Sequence, residues 1–167
     1  MRIALALVLA FALLTLESVL VQFTSHSVAR IDVTVVIVAF LALRGMPMEG
    51  AVSSFGVGYL LDVMSGRPTG LYTFLAVLAF VVGKLCSSLV DVRSARRFAL
   101  YAMAVDAGHA FLGFVVQALV TRDPLSLEPL YMLPVQLVLT GAAAVALFPV
   151  LLKLDPGDAR PHQDLLR

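Results

Sequence analysis

From "MRIALALVLAFALLTLESVL" at the start to "LPVQLVLTGAAAVALFPVLLKL" near the end, the chain repeats one pattern, long apolar runs that hardly admit a charge. A bilayer core about 30 Å thick is crossed by about 20 helical residues at about 1.5 Å each, and the runs have that length. Hydrophobic residues make up 60% of the 167 and charged ones 14%, against about a quarter charged in soluble domains. The expected fold is therefore an all-α polytopic membrane protein of about six transmembrane helices.

The spans read as 3–23, 29–44, 48–64, 71–90, 97–120 and 130–153, one transmembrane helical domain over 1–154 followed by a short polar tail, 155–167. The second and third are short enough to tilt, to sit where the bilayer thins or to be partly re-entrant; a five-span reading merges or demotes one of them. A secretory signal peptide is rejected for the first run, because Glu17 interrupts it, no small-residue cleavage site follows, and similar runs continue. With the N-terminus inside, the inner side receives Arg2, Arg44, Arg93, Arg96, Arg97, Lys153, Arg160 and Arg167, and the outer side Arg30, Arg67 and Arg122. Eight against three places both termini in the cytoplasm. The basic loop "DVRSARR", residues 91–97, can meet anionic membrane lipid or cytoplasmic filament proteins, fixing topology being its simpler role.

Several function classes are disfavoured at once. A lone cysteine, Cys86, forms no intrachain disulfide and reads as a small core residue, and no Cys/His cluster has metal-site spacing. A formal charge of +1 gives no electrostatic case for nucleic acid. No spacing resembles an intramembrane protease or a nucleophile with its base, so no enzyme, cofactor or metal is expected.

One stretch interrupts the apolar pattern, "GYLLDVMSGRPTGLYTF", residues 58–74. Gly66 permits positive φ, Pro68 fixes its own φ and lacks a donor, and Gly70 allows close backbone approach, which together suit an abrupt helix reversal at the outer face. Asp62 lies in the last turn of the third span, where the helix dipole disfavours an anion, so it needs a partner. The candidates are the N–H groups opening the fourth span, Arg67 across the turn, or another protein. Gly50, Ser54, Gly58 and Asp62 share one helical face by their four-residue spacing. Such a face allows close helix packing in lipid, within the bundle or against a partner.

The remaining polar residues inside the spans form an expected intramembrane network of Glu17, Gln22, Lys84, Asp106, His109 and Gln117. Lys84 can snorkel to the inner headgroups or pair with Asp106. Asp106, His109, Gly113 and Gln117 form a stripe facing the bundle interior, and Glu17 lies at a depth that suits a hydrogen bond to His109.

Residues 31–85 resemble the core of the MreD family of rod shape-determining membrane proteins. The matching positions are Asp32 opening the second span, Arg44 and Gly45 after it, and the run Gly58, Leu61, Asp62, Ser65, Gly66, Pro68 and Gly70. Gln22 near the outer end of the first span also fits, whereas Glu17 and the Asp106/His109 pair depart from the pattern. The resemblance implies a non-catalytic inner-membrane scaffold or regulator of the cell-wall elongation complex. Its implied partners are an MreC-like bitopic protein and, directly or indirectly, the MreB filament and the RodA glycosyltransferase with its transpeptidase. The family is also similar, in six-helix architecture, to the substrate-binding subunits of energy-coupling-factor vitamin transporters, which supplies the alternative function.

Overall fold

A computed structural model describes residues 7–16, 32–65, 70–88, 90, 92, 94–120 and 128–154. They form six α-helices: α1 (Leu7–Leu16), α2 (Val33–Arg44), α3 (Pro47–Met64), α4 (Leu71–Ser87), α5 (Ala95–Val120) and α6 (Glu128–Leu154). Two of these are long and apolar enough to cross a membrane, over Ala95–Val116 and Tyr131–Lys153. A helix this apolar in a water-soluble protein is mostly buried, yet only 28% of each of these windows is. Phe111, Leu119, Tyr131 and Val138 point outward with more than half their surface free.

The shortest of the helices from α2 onward lies deepest. In α2 the run Val33–Phe40 is buried all round, as its composition of Val, Ile, Ala and Phe with the single polar residue Thr34 and no polar stripe requires. It packs against α3, α4, α5 and α6, while α3 pairs chiefly with α4 and α5 with α6. Phe98 of α5 joins the layers: it meets Phe40 of α2 edge-on at 6.0 Å and stacks on Phe148 of α6 at 4.9 Å.

The second and third helices are distinct, so they do not form one merged helix. Pro47 opens α3, and the residue before a proline is pushed to extended backbone; Met46 has ψ 145° and Gly45 ψ 148°. The helical start of α2 is also sharper than the span expected at 29–44. Asp32 accepts the Val35 N–H at 3.1 Å through Oδ1 and so stands outside the helix as its N-cap.

Tyr101 of α5 donates its hydroxyl to the Gly83 carbonyl of α4 at 2.7 Å, inside the bundle. Tyr101→Phe keeps the ring and removes this bond, so it is expected to lower bundle stability by about 1 kcal/mol in a reversible detergent-unfolding assay.

Candidate functional site

Two polar constellations stand out in an otherwise apolar bundle. The first is the α3–α4 reversal. Gly70 precedes α4 with φ 74°, a left-handed conformation that suits glycine, and offers no side chain to cap the helix it opens. Asp62 caps it from the preceding helix. Its Oδ1 accepts the Tyr72 N–H at 3.3 Å and its Oδ2 the Thr73 N–H at 2.9 Å, the second and third residues of α4, where an N-cap side chain normally bonds. The Thr73 hydroxyl donates to Oδ2 as well. The dipole of α3 disfavours this anion and that of α4 favours it, and the direct donors lie on the α4 side. Asp62 is 1% exposed.

Gly50, Ser54, Gly58 and Asp62 are all buried on this side of α3. Gly50 lies against the Phe80 ring of α4, and a Cβ at Gly58 would stand 2.6 Å from the Thr73 Cα and 2.8 Å from the Tyr72 carbonyl oxygen. The small-residue face is therefore turned into α4. Gly66, Arg67 and Pro68 lie outside the described residues, so the Asp62–Arg67 pairing does too.

The second constellation joins three helices. Asp32 at the start of α2 places Oδ2 3.4 Å from His109 Nδ1 on α5. Asp106, one turn before His109, is fully buried and accepts from Gln136 Nε2 of α6 at 3.2 Å through Oδ1. One ligand atom from each of Asp32, Asp106 and His109 lies within 4.8 Å of the others. Thr140, one turn beyond Gln136, sits beside Asp106 and is also fully buried. Although the two side chains adjoin, neither Thr140 Oγ1 nor Asp106 Oδ2 has a partner of hydrogen-bond geometry among the described residues.

This cluster revises the expected network. His109 faces Asp32; Glu17 and Gln22 lie outside the described residues, as does the Gln117 side chain. Lys84 is not paired with Asp106 among the described residues. It donates to the Gly45 carbonyl at 2.9 Å, at the C-terminal end of α2, where the exposed carbonyls and helix dipole attract a cation. Cys86, expected in the core, is exposed on the same outward side of α4 as Val82 and Leu85. Gln136 and Thr140 were not singled out from the sequence, although a polar pair four residues apart inside an apolar span is the visible signal for them.

No family model matches the chain, nor does any curated protein or solved structure.

Proposed function

We propose that this protein is a polytopic inner-membrane scaffold of the rod-shape elongation machinery, of the MreD kind. In this reading all six helices cross or enter the bilayer with both termini cytoplasmic. The observation that carries it is the α3–α4 reversal: four of the described residues behind the family resemblance, Gly58, Asp62, Ser65 and Gly70, build this hairpin. Ser65 donates to the Asp62 carbonyl at 2.8 Å, closing the last turn of α3. The motif thus acts as architecture, a fixed platform at the outer face on which a periplasmic partner such as an MreC-like protein can dock. The lysine and arginine bias supports the orientation, and the outward apolar faces of α5 and α6 support the bilayer as solvent.

The test is depletion in the native rod-shaped bacterium. Loss of the protein is expected to turn rods into spheres with dispersed wall synthesis, reversed by the wild-type gene. Rods that keep their width while uptake of a vitamin collapses would replace the scaffold with the transporter-subunit alternative.

A further inference from the structure

We propose that Asp32, Asp106 and His109 bind a divalent transition-metal ion of the Zn²⁺ class, which clamps the outer end of α2 to α5. The inference needs only the helix bundle and stands apart from the scaffold reading.

Three observations carry it. The first is the donor set, two carboxylates and one imidazole drawn from two helices with mutually close ligand atoms. Zinc is bound by these groups at about 2.0–2.2 Å, and a tetrahedron of such bonds separates its ligands by roughly 3.4 Å. His109 Nδ1 and Asp32 Oδ2 stand 3.4 Å apart. An imidazole nitrogen in the set selects zinc-like ions over magnesium or calcium, which take oxygen donors.

The second is the unsatisfied chemistry around the cluster. Asp106 is wholly buried, Thr140 beside it is wholly buried, and among the described residues neither Asp106 Oδ2 nor the Thr140 hydroxyl has a partner of hydrogen-bond geometry. Buried polar atoms are normally hydrogen-bonded, and here the carboxylate oxygen and the hydroxyl adjoin without meeting in hydrogen-bond geometry, so the place can take a further group. A metal takes the carboxylate oxygen directly, and the Thr140 hydroxyl then orients that carboxylate or a metal-bound water, while Gln136 already holds Oδ1.

The third is charge. Asp106 is closed off from solvent and Asp32 nearly so, and Lys84, the cation expected to pair with Asp106, is engaged with Gly45. A divalent ion neutralises both carboxylates. Access exists, because the His109 and Asp32 side chains are 15% and 20% exposed whereas Asp106 is closed off.

The site escapes a motif search because no local spacing encodes it: Asp32 precedes Asp106 by most of the bundle. The experiment uses the full chain purified in detergent through a histidine-free tag, with Cys86, His26 and His162 replaced by Ala, Gln and Gln to remove other soft ligands. Zn²⁺ stoichiometry is read by elemental mass spectrometry and Co²⁺ binding by its ligand-field absorption. About one equivalent of metal is expected, and Asp106→Asn, His109→Gln and Thr140→Val, the last of which retains every ligand, should each weaken binding about tenfold or more. Circular dichroism confirms that the variants remain helical, and Thr140→Val keeps the test decisive if a ligand variant does not. Trace metal only, metal uptake indifferent to all three substitutions, or an infrared carboxylic-acid band at Asp106 without metal uptake would each overturn the site, the last by showing a proton where the ion should be.

Discussion

Asp62→Ala is expected to destabilise the bundle by about 3 kcal/mol. Three donors lose their acceptor at once: the Tyr72 N–H, the Thr73 N–H and the Thr73 hydroxyl. A hydrogen bond to a charged acceptor contributes about 1.5–3 kcal/mol in soluble proteins, and measured values between membrane helices are smaller, about 0.6 on average. Three such bonds amount to about 2 kcal/mol at the membrane value and about 4.5 at the lower soluble one; about 3 lies between them because the two backbone donors have no alternative cap, Gly70 having no side chain. Asp62→Asn retains one acceptor oxygen and should lose about half as much. The measurement is reversible unfolding in mixed micelles, with proteolysis at the α3–α4 turn as a local readout. Equal stability of wild type and Asp62→Ala would mean that α4 is capped by something else.

Gly58→Leu is expected to open the α3–α4 pair, at about 3 kcal/mol or more. A Cβ there meets the Thr73 Cα at 2.6 Å, the Tyr72 carbonyl oxygen at 2.8 Å and the Ala76 Cβ at 2.9 Å. Two of these three are backbone atoms, which cannot swing away as a side chain does, so the helices must separate and lose their packing. Gly58→Ala should already produce most of the effect, because the first carbon is the one that collides. Gly70→Ala is the informative contrast. Nothing lies within 4 Å of a Cβ at Gly70, so only its φ of 74° is strained, a penalty of about 1 kcal/mol. If both glycines tolerate alanine equally, the close approach is not what holds the hairpin. In cells, Asp62→Ala and Gly58→Leu should reduce retention of an outer-face partner more than Cys86→Ala, whose thiol is exposed on α4, away from the α3–α4 contact.

What could be read in advance follows the range of the interactions. The helix bodies lie close to the expected spans, because a run of apolar residues carries its own length: α3 (Pro47–Met64) against 48–64, α5 (Ala95–Val120) against 97–120 and α6 (Glu128–Leu154) against 130–153. The hairpin was legible too, since Gly58, Asp62, Gly70 and Thr73 fall within one short segment and turn chemistry is local. Capping of the fourth span was one of the partners considered for Asp62, and the fold uses it. The interior cluster was half legible. Helical spacing put Asp106 and His109 on one face, but their partner from α2 is a helix-capping residue, and its second role depends on how α2 packs on α5. Periodicity identifies which residues share a face and is silent on which face meets which. Lys84 shows the same limit, since the Gly45 carbonyl that receives it becomes available only because Pro47 ends α2 and reverses the chain.

The measurement that tests the scaffold account most directly is a pull-down of the tagged protein from native membranes in mild detergent, with co-purifying proteins identified by mass spectrometry. The account predicts an MreC-like bitopic protein together with the wall glycosyltransferase and its transpeptidase, and their loss from the Gly58→Leu variant. Recovery of a transmembrane coupling subunit with paired ATPases, and of no wall synthase, would contradict it.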